Sequence, residues 1–259
     1  MDPAEAGGGR VLVGCAGWSL PAAEQPRFPG EGPHLSRYAG RFPVVEINTS
    51  FHRPHRPSTY ARWAASVPAH FRFSVKVPKA ITHVMRLLDA GDALDAFLAE
   101  AGALGDRLGC LLVQLPPSLA YDAEVAEAFF AALRERWPGA VACEPRHPAW
   151  FAPDAEALLT EMRVARVAAD PAPVPAAAEP GGWGGLVYRR LHGSPRTYYS
   201  AYGEDYVAAL APRLAEEAAA GAPSWCIFDN TAAGAATADA LALLRHLPPG
   251  ASPDPVPER

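Results

Sequence analysis

The sequence predicts an α/β protein built as one single-domain (β/α)8 TIM barrel. Three observations point there. Short runs of Val, Ile, Leu and Phe alternate with longer amphipathic stretches along the whole chain, and eight such runs can be counted. The length of 259 residues matches the roughly 250 residues that one such barrel needs. An open doubly wound sheet would place a GxGxxG loop after its first strand, and GCAGWS at 14–19 lacks that spacing.

Strands are expected at 11–17, 44–50, 72–78, 110–116, 141–146, 163–170, 185–193 and 225–230. Most are apolar throughout, as strands covered on both faces should be. Helices are expected at 34–41, 58–66, 92–105, 123–136, 154–161, 204–220 and 232–246, with start signals at Ser58, Asp122 and Asp154. The Pro- and Gly-rich segment 171–184 reads as a loop. The barrel domain therefore spans 11–247. A flexible N-terminal segment, 1–10, precedes it, and a disordered Pro-rich tail, 248–259, follows.

Hydrophobic residues at 49% and charged residues at 20% supply a core and exclude global disorder. A net charge of −5 argues against a protein that coats nucleic acid by charge alone. No run approaches 18 uninterrupted apolar residues, so no membrane partner is expected. The N-terminus has neither the basic nor the apolar region of a signal peptide, so a cytoplasmic location is expected. Cys15, Cys110, Cys143 and Cys226 lie far apart in apolar runs without metal-ligand spacing and read as reduced core thiols.

Active sites of such barrels sit at the C-terminal strand ends. The polar residues there are Trp18 and Ser19 after the first strand, then Glu46, Asn48 and Ser50, followed by His52 and Arg53. Lys76, Lys79 and His83 come next, then Gln114, then Glu144, Arg146 and His147. Asp170, Arg190, His192, Asp229 and Asn230 complete the set. Side chains alternate faces along a strand. Glu46, Asn48 and Ser50 thus share one face, as do Tyr188, Arg190 and His192, Leu112 and Gln114, Ala142 and Glu144, and Ile227 and Asp229. These polar groups converge in the mouth.

Only two of the 23 basic Lys and Arg residues are lysine, Lys76 and Lys79. An ammonium rather than a guanidinium suits a Schiff base, a proton donor or a tight ion pair with Glu46 or Glu144. Phe51 to Leu88 contains no Asp or Glu but seven Lys or Arg residues and four His. That basic patch points to an anionic ligand. Tyr198, Tyr199 and Tyr202 lie in the loop SPRTYYSAYGED and are candidates for a ligand cover.

The strings GCAGWS, VEINTSFHR, FSVKVPKAITH, QLPPS, EPRHPAWF, VYRRLHG and FDN, in this order over 11–247, resemble the domain of unknown function 72, or YecE-like, family. The resemblance implies a TIM barrel similar in shape to the xylose isomerase and endonuclease IV group, and names no reaction. Matching motif positions are Trp18, Glu46, Asn48, Phe51, Arg53, Lys76, Thr82, His83, Gln114, Glu144, Arg146, His147, Asp170, Arg190, His192, Asp229 and Asn230. Cys15 and Ala16 stand where Thr or Ser and then Ser are common. Leu20 and His52 each replace a usual Tyr, and Pro145 replaces an apolar residue.

These residues read as an enzyme acting on a small anionic, phosphate-containing substrate by acid–base chemistry. Glu46, Lys76, Glu144, His192 and Asp229 are the catalytic candidates. Trp18, Asn48, Arg53, His83, Gln114, Arg146, His147, Asp170, Arg190 and Asn230 are the substrate-binding candidates. No metal or cofactor is predicted, because Lys and Arg in the mouth would neutralise the carboxylates. A divalent ion on Glu46, Glu144, Asp170, His192 and Asp229 is the alternative. Two other functions fit the same residues: nucleic-acid binding with a flipped or damaged nucleotide, and non-catalytic metabolite binding.

Overall fold

The strands are rich in Val, Leu, Ile and Phe because a parallel sheet is covered on both faces and needs apolar side chains on each. The computed structural model describes residues 9–252. Residues 1–8 and 253–259, which carry most of the expected flexible start and disordered tail, lie outside the described residues. Residues 248–251 form a turn, and Ala251 O accepts a hydrogen bond from Val11 N at 2.7 Å.

The strands are β1 (Val11–Ala16), β2 (Val44–Ile47), β3 (Arg72–Lys76), β4 (Leu108–Gln114) and β5 (Ala140–Glu144), then β6 (Val164–Arg166), β7 (Ala168–Asp170), β8 (Gly181–Gly182), β9 (Val187–Leu191) and β10 (Ser224–Phe228). They form one sheet in the order β7-β9-β10-β1-β2-β3-β4-β5-β6-β8. Every pairing is parallel except that of β8 on β6. Only Val167 separates β6 from β7. β6 pairs with β5 at one end of the order and β7 pairs with β9 at the other. The sheet is therefore a nearly closed barrel in a mixed α/β fold, and one domain.

The helices are α1 (His34–Ala39), α2 (Thr49–His52), α3 (Pro57–Ala65), α4 (Gly91–Ala101), α5 (Ala123–Arg136), α6 (Pro153–Glu161), α7 (Glu204–Ala219) and α8 (Ala235–His246). The two faces of the sheet bury separate clusters. Val45, Ile47, Val75, Val113 and Cys143 join the helices in one. Leu12, Val44, Leu112, Ala142, Val167, Tyr188 and Ile227 fill the other, inside the barrel. β1 and β2 approach so closely that a Cβ on Gly14 would sit 2.2 Å from Val44 O.

Several expected boundaries shift. β2 ends at Ile47 because Asn48 turns the chain into the short helix α2. Ser50 lies in that helix, and its Oγ donates to the Ile47 or the Lys76 carbonyl, at 3.0 and 2.7 Å. A side-chain bond to nearby backbone is the local alternative to a continued strand. Asn48 and Ser50 thus leave the strand face they were expected to share with Glu46. Asp122 does cap α5, accepting from Val125 N at 3.2 Å. Ser58 and Asp154 do not cap; Pro57 and Pro153 are themselves the first helical residues. Proline's fixed φ suits that position, and its missing N–H costs nothing there. α8 starts at Ala235 rather than 232, after Gly234 at φ 78°.

The basic run from Phe51 to Leu88 is divided in space. Arg72 begins β3 and Lys76 ends it, so these two lie at opposite ends of the barrel.

Candidate functional site

Period-two alternation turns Arg190 of β9 into the barrel, where it is fully buried. Its Nε and Nη2 donate to the two oxygens of Glu46 on β2, at 3.0 and 2.6 Å. Its Nη1 donates to Glu144 Oε2 on β5, and Nη2 also donates to Asp229 Oδ2, just beyond β10, at 2.9 Å. One guanidinium therefore joins three carboxylates from three sides of the barrel. The planar fork of arginine supplies the four hydrogen bonds made here, more than the three donors of an ammonium.

His192, next on the same face, is 3.1 Å from Glu144 Oε1 through Nε2 and 3.0 Å from Asp229 Oδ2 through Nδ1. Burial disfavours its charge, but Glu144 and Asp229 outweigh burial and raise its pKa. It therefore favours the imidazolium, donating from both nitrogens. Burial also opposes charge on Glu144, yet Arg190, His192 and Arg146 hold its carboxyl well below the usual carboxylate range. Asp229 is lowered in the same way, chiefly by Arg190 and His192 against burial. Arg146 Nε donates to Glu144 Oε1 at 3.0 Å, and its Nη groups reach the Tyr198 hydroxyl at 3.4–3.5 Å. Beneath, the Tyr188 hydroxyl lies 2.9 Å from both Glu46 Oε2 and Ser74 Oγ.

Lys76 ends β3 in the same mouth. Among the described residues no hydrogen bond or ion pair engages its ammonium, so the expected ion pair with Glu46 or Glu144 is absent. Its Nζ instead lies 4.1 Å from the centre of the Phe51 ring. Burial, then Arg190, draws its pKa down to about 8 against the pull of Glu46, Glu144 and Asp229. His83 is held below its ordinary value by burial and by Lys76, Lys79 and Arg146. Its Nδ1 is 2.8 Å from Thr82 Oγ1.

The structure brings Glu46, Lys76, Glu144, Arg146, Arg190, His192 and Asp229 together. Asn48 joins them, its Nδ2 donating to Asp229 Oδ1 at 3.2 Å. Others turn elsewhere. Gln114 is buried and donates to the neighbouring Leu115 carbonyl. His147 accepts from Ala149 N and caps a short turn. Asp170 accepts from the Tyr202 hydroxyl at 2.8 Å. Asn230 donates to Asp239 and to Ser200 O. Arg190 has no exposed surface and ties the network together. Of the three loop tyrosines, Tyr198 and Tyr199 are exposed while Tyr202 is buried.

Trp18 and Arg53 line a cavity of about 410 Å³ beside the charged cluster, together with Glu46, Asn48, His55 and Trp63. His55 and Trp63 are absent from the sequence-derived set. Their role depends on how α3 docks, and no local pattern marks it.

The sequence profile described as "Protein of unknown function DUF72" matches residues 12–258. The chain belongs to the DUF72 family. It is similar to the UPF0759 protein YecE of Escherichia coli K12, with 31% identity over 64% of this chain and 61% of that protein. It is also similar to the UPF0759 protein YunF of Bacillus subtilis, with 24% identity over 55% of this chain and 53% of that protein. The matches thus span about half to three-fifths of these relatives' lengths. Two DUF72 crystal structures share the fold. One, from Enterococcus faecalis, has a TM-score of 0.78 at 22% identity and covers 96% of this chain and 99% of its own. The other, from Thermotoga maritima, has a TM-score of 0.75 at 23% identity and covers 91% and 98%. Among the described residues no helix is long and apolar enough to cross a membrane.

Proposed function

We propose that this DUF72 chain is a (β/α)8 barrel, with β6 and β7 counted as one strand bent at Val167, and that its mouth is an acid–base site for a small anionic substrate. Lys76 carries the reading. Among the described residues its ammonium, set over the Phe51 ring, has no hydrogen-bond or ion-pair partner, and its pKa near 8 lets it take or give a proton close to neutral pH. Arg146, a quarter exposed, supplies positive charge for a phosphate or carboxylate, and Lys79 adds to it, both acting to lower the pKa of His83. Glu144 and Asp229 are held ionised, so they orient His192 and Arg190 rather than act as acids. Of the five catalytic candidates, Lys76 therefore takes the acid–base role, and Glu144 and Asp229 take an orienting one. Arg190 and His192 already occupy the carboxylate oxygens, so the reading asks for no metal ion.

Two lysines make the test simple. Dimethylated with a ¹³C label, the chain should give one lysine signal that titrates near pH 8 and moves on adding inorganic phosphate. Lys76→Met should remove that signal and lower turnover of any phosphorylated substrate found by screening by about 100-fold or more, the range for losing a general acid–base group. Ordinary titration of both lysines near about 10.4, with no response to phosphate, would sink the reading.

A further inference from the structure

The charged cluster and the neighbouring cavity share little. Glu46 and Asn48 border both, whereas Lys76, Glu144, Arg146 and His192 do not line the cavity. A ligand filling both compartments must therefore have two chemically different parts. The cavity volume, about 410 Å³, falls within the roughly 300–1,000 Å³ typical of small-molecule sites.

Its walls specify one of those parts. Trp18 and Trp63 meet edge to face at 5.0 Å, and His55 packs on Trp63 at 5.2 Å. His55 is fixed in turn by Thr49 Oγ1 at 2.7 Å. The same lining includes the hydroxyl-bearing Ser19, Thr49, Thr231 and Thr237, whose side chains can both donate and accept. Asn48 adds a more selective feature. Its amide nitrogen is committed to Asp229, while its Oδ1 is buried and has no partner. A buried acceptor without a donor is costly, and a ligand hydroxyl would satisfy it. A flat apolar ligand would leave it unpaired. Aromatic rings, hydroxyls and an unpartnered acceptor in one lining suit a ring that presents C–H faces and O–H edges.

We propose that this cavity holds the hydroxylated, uncharged ring of a sugar phosphate whose phosphate lies in the cationic mouth. The assignment rests on the anionic-substrate reading above and names its substrate class. Asn48 belongs to both compartments, bound to the charged cluster through Nδ2, with Oδ1 as the unpartnered acceptor that a sugar hydroxyl would satisfy.

Calorimetric titration of the full chain at pH 7 separates the two parts. The probes are glucose 6-phosphate, fructose 6-phosphate, ribose 5-phosphate, glucose and inorganic phosphate. At least one sugar phosphate should bind about tenfold or more tighter than inorganic phosphate, a difference readily resolved in Kd. Asn48→Ala should remove most of that advantage, weakening the sugar phosphate by more than it changes inorganic phosphate. Thr231→Val, at an exposed position, should reduce it without threatening the fold, and guards against a poorly folded Asn48 variant. Lys76→Met should weaken every phosphate-bearing probe. If all three sugar phosphates bind no better than inorganic phosphate, the cavity assignment fails and the anionic mouth survives. Equal weakening of sugar phosphate and inorganic phosphate by Asn48→Ala overturns it too. If no phosphate-bearing probe binds, both readings fall together.

Discussion

Replacing Arg190 with Met tests the electrostatic core of the barrel. Arg190 is fully buried and serves Glu46, Glu144 and Asp229 at once. Methionine fits the aliphatic volume but leaves three buried carboxylates without their shared cation. Breaking a buried pair by removing one partner costs about 3–5 kcal/mol, and His192 and Arg146 remain to offset part of the loss. The expected cost at pH 7 is thus about 3–5 kcal/mol, a fall in Tm of roughly 6–20 °C for a chain of this size. The cost should depend on pH. Glu144 and Asp229 are depressed in the folded protein, so they add stability above the unfolded carboxylate pKa of about 4. That stability is lost as pH falls through their folded values. The variant lacks it, so the gap from the parent should narrow as pH falls below about 4 toward the depressed folded values. Urea denaturation at about pH 7, 4 and 3 measures this directly. A cost below about 1 kcal/mol at pH 7, within the range of exposed ion pairs, or a cost unchanged with pH, would refute the reasoning.

Lys76→Met should stabilise the protein while disabling the site. Lowering the lysine from 10.5 to about 8 corresponds to about 3 kcal/mol of charge-burial cost at neutral pH. Parent stability should rise between pH 8 and about 10.5 as that charge is lost, closing the gap to the variant in thermal melts. The four cysteines are buried, and burial pushes the thiols of Cys15, Cys110 and Cys226 up to about 12. Native protein should be inert to a thiol-titrating disulfide reagent, and all four should react in denaturant. Gly14→Ala drives a methyl group against Val44 O and should cost at least about 1–3 kcal/mol by chemical denaturation, the usual overpacking range. Elemental analysis of untagged, chelator-free protein should find no stoichiometric divalent metal; one ion per chain would return the carboxylates to the role of ligands.

Much of this site is legible because strand alternation is a local rule. Tyr188, Arg190 and His192 lie two residues apart and all turn inward, as Ala142 and Glu144 do on β5 and Ile227 and Asp229 do at β10. The rule fails where a side chain finds a nearer partner. Asn48 leaves the strand because α2 begins there, and a four-residue helix is too short to show periodicity. Asn230 is drawn to Asp239 nine residues away, Gln114 to the carbonyl beside it, and His147 to a turn. Each has the right residue type at the right strand end, and only the fold shows its commitment. The cavity was hidden for another reason. Trp63 and His55 reach it from α3 and the segment before it, and no sequence spacing states how a helix docks.

Arg190 stands like the hub of a wheel, with spokes to β2, β5 and the end of β10. Those anchor points are spread around the sheet, so the bracing spans the barrel instead of following its rim. The carboxylates consequently take their positions chiefly from the strands and from Arg190, with Arg146 and Asn48 bracing them from above. Tyr199, exposed and stacked on Arg196, can be exchanged without removing any of these bonds. A barrel braced in this way can change what it admits while keeping the same chemistry at its base.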